Sequence, residues 1–76
     1  MKLKSDYNSG DAIFKAGVEI FIHSANDNYS TKLVDVNVAL KSPSIDAVRG
    51  IGSLQYTDTW TDADVITFIK SKLDIE

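Results

Sequence analysis

The chain has 76 residues, a formal net charge of −3, a hydrophobic share of 43% and no cysteine. This length predicts one domain over residues 1–76, and the hydrophobic share is typical of a globular protein rather than a disordered one. The absence of cysteine excludes disulfides and Cys-based zinc sites, and the single histidine, His23, excludes a multi-histidine metal site within one chain. We therefore expect no cofactor and no metal site.

The charge balance and the N-terminus narrow the classes of partner. The chain has 8 basic and 11 acidic residues, which disfavours nucleic-acid binding because that function usually needs a basic surface. Residues 1–6 contain no apolar segment of a secretory signal, and no apolar run approaches the ~18 residues of a membrane span. We expect a cytoplasmic protein with no membrane partner.

Alternating apolar and polar residues predict strands in the first half of the chain. Residues 2–4 are interpreted as a short edge strand. The even positions of residues 12–22 are all apolar, which predicts a half-buried strand. This run is long for one strand, so Gly17 is expected to mark a bulge, a bend or a turn. A short helix over residues 10–16, capped by Ser9, is the alternative interpretation.

A loop, a second strand and a helical turn are predicted next. Residues 24–30 are rich in Asn, Asp and Ser, which favours a loop because these side chains bond to the local backbone. Alternation resumes over residues 34–40, so the two runs predict an antiparallel hairpin. Pro43 fits the first position of a short helical turn over residues 43–49, which Gly50 would end.

The end of the chain predicts a third strand and a helix. Residues 53–56 alternate as a strand. A helix is predicted over residues 62–73, since Thr61 and Asp64 have the spacing of a capping box. Trp60 precedes this cap at the position of a hydrophobic staple, which packs the incoming chain against the first turns of the helix.

Together these elements predict an α+β fold of two layers. A mostly antiparallel sheet of three to four strands would be covered on one face by the helix over residues 62–73, with a short helical turn at residues 43–49. A helix with one apolar face that follows strands with one apolar face buries that face against the sheet.

Four residues are candidate partner-binding side chains: Phe21, His23, Tyr29 and Trp60. Phe21 is apolar on the strand face that Glu19 and His23 mark as solvent-facing, which fits a contact surface. The alternatives are that Phe21 packs under a loop or a helical turn, or that it is an ordinary isolated exposed side chain. Tyr29 lies in the predicted loop. Trp60 fits either a binding hot spot or the helix staple, and we prefer the staple because it explains both position and spacing. His23 is interpreted as a surface histidine.

No catalytic motif is present, so the leading hypothesis is a non-enzymatic protein-interaction module. The composition fits a small accessory protein of a phage, a mobile element or a bacterium. Such a protein would bind a host or defence protein, or a second copy of itself as a homodimer by strand pairing. The first alternative is a nucleic-acid-binding regulator whose basic residues cluster only after folding. The second is a very small enzyme that uses His23 with a carboxylate such as Glu19.

Overall fold

The computed structural model describes all residues, Met1–Glu76, as five β-strands followed by one α-helix. The strands are β1 (Tyr7–Asn8), β2 (Ile13–Phe14), β3 (Glu19–Asn28), β4 (Leu33–Ser42) and β5 (Ile45–Gln55), and the helix is α1 (Asp62–Lys72). β1 and β2 form a two-stranded hairpin, and the other three strands form an antiparallel sheet in the order β3-β4-β5. The predicted α+β fold, with an antiparallel sheet and a C-terminal helix, is confirmed.

One face of the sheet, the inner face, carries the hydrophobic core. Every second residue of β4 from Val34 to Leu40 is fully buried there, because successive side chains of a strand point to opposite faces. The β1–β2 hairpin contributes Phe14 to this core, and α1 contributes Val65 and Ile69. The complete set of core residues is Leu3, Phe14, Val18, Ile20, Val34, Val36, Val38, Leu40, Val65, Ile69 and Leu73.

The N-terminal residues bond to the start of β3, and the C-terminal residues bond to the N-terminal residues. The backbone N–H of Leu3 donates to the carbonyl of Val18 at 2.9 Å, and the N–H of Lys4 donates to the carbonyl of Asp74 at 2.8 Å. The edge strand predicted at residues 2–4 is present only as isolated bridges, to β3 on one side and to the C-terminal residues on the other. These bonds cover the beginning of the β3 edge and leave the rest of that edge unpaired.

Gly17 divides the strand predicted over residues 12–22. Its φ is +94°, which a glycine adopts without steric cost, and the chain turns there between β2 and β3. The interpretation of Gly17 as a turn is therefore confirmed. The alternative helix over residues 10–16 is wrong, because β2 lies inside that range and pairs with β1.

The loop predicted at residues 24–30 is wrong over residues 24–28 and correct only at residues 29 and 30. β3 continues through Asn28, and the turn of the hairpin lies at residues 29–32. The polar composition misled the prediction because β3 is an edge strand, so the side chains of residues 26–28 remain exposed even though β4 beside them contributes Val34 and Val36 to the core. Pairing with β4 holds the strand, and the Asn37 side-chain amide donates to the Ser24 hydroxyl across it at 3.1 Å.

The helical turn predicted at residues 43–49 is also wrong. Pro43 and Ser44 form the turn of the β4–β5 hairpin, and β5 begins directly afterwards. Proline suits the second position of a β-turn as well as it suits the first turn of a helix, so it does not distinguish the two. The predicted third strand, residues 53–56, is the end of the much longer β5.

Both outer strands of the sheet carry a β-bulge beside Asn37 of the central strand. The extra residue is His23 in β3 and Ile51 in β5. Gly52 follows the second bulge with φ +127°, a conformation that L side chains rarely adopt. A Cβ atom at Gly52 would lie 3.3 Å from Cζ of Phe68, so the glycine also makes room for α1 against β5.

α1 begins as the sequence predicts. The hydroxyl of Thr61 accepts the backbone N–H of Asp64 at 3.3 Å, and the carboxylate of Asp64 accepts the N–H of Thr61 at 2.9 Å. This reciprocal pair is a complete capping box. The protein contains no helix with the length and apolar character needed to cross a membrane.

We expect Thr61→Ala to lower the free energy of unfolding by about 1 kcal/mol, because it leaves a helix N–H without its acceptor. Urea denaturation followed by circular dichroism measures the change. Thr67→Ala, at an exposed position inside the same helix, is the matched control and is expected to be neutral or slightly stabilising. Equal losses in the two variants would show that the cap contributes nothing.

Candidate functional site

The second face of the sheet, the open face, has neither the helix nor the β1–β2 hairpin packed on it. On the central strand its side chains alternate with those of the core and include Asp35, Asn37, Ala39 and Lys41. Paired residues of neighbouring antiparallel strands lie on the same face, so the register of β3 and β5 gives the remaining side chains of this surface.

Three apolar residues form a row straight across the open face. Phe21 of β3 pairs with Ala39 of β4, which pairs with Val48 of β5. Phe21 is 45% exposed and Val48 is 42% exposed, whereas Ala39 between them is only 5% exposed. We call Phe21, Ala39 and Val48 the apolar row. The expectation that Phe21 points to solvent is met, and β5 supplies a second exposed apolar side chain, Val48, on the far side of Ala39.

Polar rows border the apolar row on both sides. On one side Lys41 lies between Glu19 and Asp46, its partners on the neighbouring strands. On the other side Ser24, Asn37 and Gly50 present small or neutral groups. Asp35 lies in the row beyond Asn37. The charged side chains of the open face are therefore the carboxylates of Glu19, Asp35 and Asp46 and the ammonium group of Lys41, which give a formal charge of −2.

The structure does not gather the four candidate partner-binding residues into one surface. His23 is exposed at the β3 bulge, close to Phe21 in sequence. Tyr29 is 72% exposed in the β3–β4 turn, about 25 Å along the strand from Phe21 at ~3.3 Å per residue. Trp60 is half-buried against the core on the inner side of the sheet. Only Phe21 belongs to the apolar row.

Tyr29 contacts a cluster that closes the far end of the sheet. The Lys32 ammonium group lies 3.9 Å from the centroid of the Tyr29 ring and 5.6 Å from that of Tyr56. The Tyr56 hydroxyl donates to the Asp27 carboxylate at 2.6 Å, and this hydrogen bond raises the pKa of Tyr56 to about 12. The cluster holds the end of β5 against the β3–β4 turn.

A groove of about 660 Å³ lies between α1 and the segment that leads into it. Tyr56, Trp60 and Phe68 supply its aromatic walls, and Asp58 and Asp64 supply carboxylates. We call these five residues the aromatic groove. Trp60 also packs against the core, as the preferred staple interpretation requires, so the same side chain is a structural contact and a wall of the groove.

The two ion pairs of the protein, Lys15 with Asp6 and Arg49 with Asp11, lie at the β1–β2 hairpin. The Arg49 guanidinium lies 3.0 Å from the Asp11 carboxylate, and the hydrogen bond from Ser9 together with Arg49 lowers the pKa of Asp11. The backbone N–H of Ala16 donates to Asp6 and lowers the pKa of that carboxyl. These contacts explain the charged residues of the hairpin as structural.

His23 is exposed at the β3 bulge and hydrogen-bonds to no side chain. His23 lines neither of the two surface cavities. No three of the His, Asp and Glu side chains stand together as metal ligands would.

No family model, curated protein or solved structure matches this chain. The assignment of function therefore depends on the two surfaces. Sequence reasoning missed Val48 because it placed this residue in a helical turn. It missed the groove because Tyr56 and Phe68, which form two of its walls, are brought together only when α1 packs on β5.

Proposed function

We propose that this protein is a non-enzymatic protein-binding module that docks a basic partner protein on the open face of its sheet. The observation that carries the proposal is the apolar row, in which Phe21 and Val48 are both more than two-fifths exposed. The exposed face of an antiparallel sheet is normally polar, so a row of apolar side chains across it is typical of a contact surface.

The charge of the open face favours a foreign partner over a second copy. Glu19, Asp35 and Asp46 outnumber Lys41, so two open faces packed on each other would bring like charges together. A partner with an apolar centre and a basic rim complements both features, since interfaces combine a buried apolar core with a polar rim. The composition supports a setting in a phage, mobile element or bacterium, where the partner is a host or defence protein.

The two alternative functions gain no support from these surfaces. The open face has more carboxylates than basic groups, which opposes the phosphate backbone of a nucleic acid. The small-enzyme hypothesis needs a cleft at His23, and neither cavity includes that residue.

We expect the double variant Phe21→Thr, Val48→Thr to remain folded, because both side chains are exposed and threonine is well tolerated in strands. Its affinity for a partner captured from a host lysate, identified and then purified, should fall by about thirtyfold, as for loss of a hot spot. Calorimetric titration measures the affinity. Ile13→Thr, which removes an apolar side chain that is 58% exposed on β2, is the matched control and should bind normally.

Two results would contradict this assignment. One is equal affinity of the double variant and of the Ile13→Thr control for the partner. The other is a concentration-dependent dimer in light scattering that the double variant abolishes, because the open face would then bind a second copy and not a foreign protein.

A further inference from the structure

The aromatic groove is a second surface, separate from the open face. It lies beside α1, which packs on the inner side of the sheet, whereas the apolar row faces the other way. We infer that this groove binds an arginine side chain presented by a partner protein. The inference does not depend on the open face or on its partner.

The first argument is the charge of the groove. Asp58 and Asp64 both line it, and no lysine or arginine does. Asp58 forms no ion pair within the chain, and Asp64 uses one carboxylate oxygen to accept the N–H of Thr61 in the capping box. The residues that line the groove therefore supply two carboxylates and no basic group, and the nearest ammonium groups, those of Lys32 and Lys72, lie over Tyr56 and Phe68.

The second argument is the arrangement of cations over the aromatic rings. Lys32 lies over Tyr56, and the Lys72 ammonium group lies 5.4 Å from the centroid of Phe68. Trp60 is the remaining aromatic wall, and no cation of the chain lies over it. Tryptophan is the aromatic side chain that attracts a cation most strongly, so the most favourable ring of the groove is the one with no cation over it.

The chemistry of arginine fits both arguments together. Its guanidinium is planar, stacks on an aromatic face and donates two parallel hydrogen bonds to a carboxylate. Stacking on Trp60 with donation to Asp58 or Asp64 would use the ring and the acidic side chains at the same time. A neutral side chain of the same shape would gain neither the charge-assisted bonds nor the attraction to the ring.

The test is a titration with acetyl-arginine amide, followed by the fluorescence and the indole N–H signal of Trp60, the single tryptophan of the chain. Acetyl-citrulline amide, the neutral analogue of the same shape, is the control ligand. We expect saturable changes at Trp60 in the millimolar range with the arginine compound, clearly weaker changes with the citrulline compound, and loss of the difference at high salt.

Two variants with the same change in net charge locate the site. Asp58→Asn should weaken the binding of acetyl-arginine amide about twofold to fivefold, the range for one exposed ion pair. Asp46→Asn, on the open face, should leave it unchanged. The inference is overturned if Trp60 does not respond, if the citrulline compound binds equally well, or if Asp46→Asn weakens binding as much as Asp58→Asn does.

Discussion

Replacement of Leu40 by alanine should lower the free energy of unfolding by about 2–5 kcal/mol, the range for a leucine deleted from a closed core. Leu40 is fully buried in the central strand and lies between Ile20 on β3 and Ala47 on β5. A domain of this size has a total stability near the lower end of ~5–15 kcal/mol. We therefore expect the variant to lose about half or more of its stability, and at the upper end of this range to be about half unfolded.

Urea denaturation of the Leu40 variant, followed by Trp60 fluorescence and circular dichroism, measures this loss. Ile69→Val serves as a graded variant that should cost about 1 kcal/mol, so the core remains testable if the alanine variant does not fold. Phe21→Thr on the exposed side of the sheet is the control and should change stability far less. A midpoint for Leu40→Ala equal to that of the wild type would refute the assignment of the inner face as the core.

The second large effect is expected at Gly52, where alanine should cost about 1–3 kcal/mol. The backbone has φ +127°, which strains any L side chain, and the new methyl group would lie 3.3 Å from the Phe68 ring. Both effects act at the contact between β5 and α1. Thermal and urea unfolding of the variant measure the combined cost.

A control at Gly10 separates the two effects. Gly10 has φ +95°, but a methyl group added there would meet no neighbouring atom within 4 Å, so Gly10→Ala reports backbone strain alone. A double-mutant cycle of Gly52→Ala with Phe68→Leu then measures the contact between the new methyl group and the Phe68 ring. Because leucine at position 68 is smaller, it should restore part of the stability that Gly52→Ala removes. The explanation fails if Gly52→Ala costs no more than Gly10→Ala and the cycle shows no coupling.

Features decided by neighbouring residues were predictable from the sequence. The sequence locates the start of α1 correctly because Thr61 and Asp64, which form the capping box, lie three residues apart. The exposure of Phe21 follows from its position two residues after Glu19 on the same face of one strand. In each case the physical cause lies inside a single element, where the spacing of residues is known before the fold is known.

Features decided by pairing between distant residues were not predictable in the same way. Residues 24–28 look like a loop until β4 is placed beside them, and residues 45–49 look like a helical turn until the register with β4 is known. Because the sequence places residues 45–49 in a helical turn, it does not put Val48 in the same row as Phe21. The apolar row is thus a property of register, and register depends on long-range contacts.

The two bulges beside Asn37 have a consequence for the behaviour of the protein in concentrated solution. β3 and β5 are both edge strands with unpaired backbone groups, and such edges are templates for the addition of further strands and for aggregation. His23 and Ile51 interrupt the two edges at the same level of the sheet, so a foreign strand meets only short uninterrupted segments on either side. The domain can therefore display apolar side chains on an uncovered sheet while its edges resist fibril-like growth.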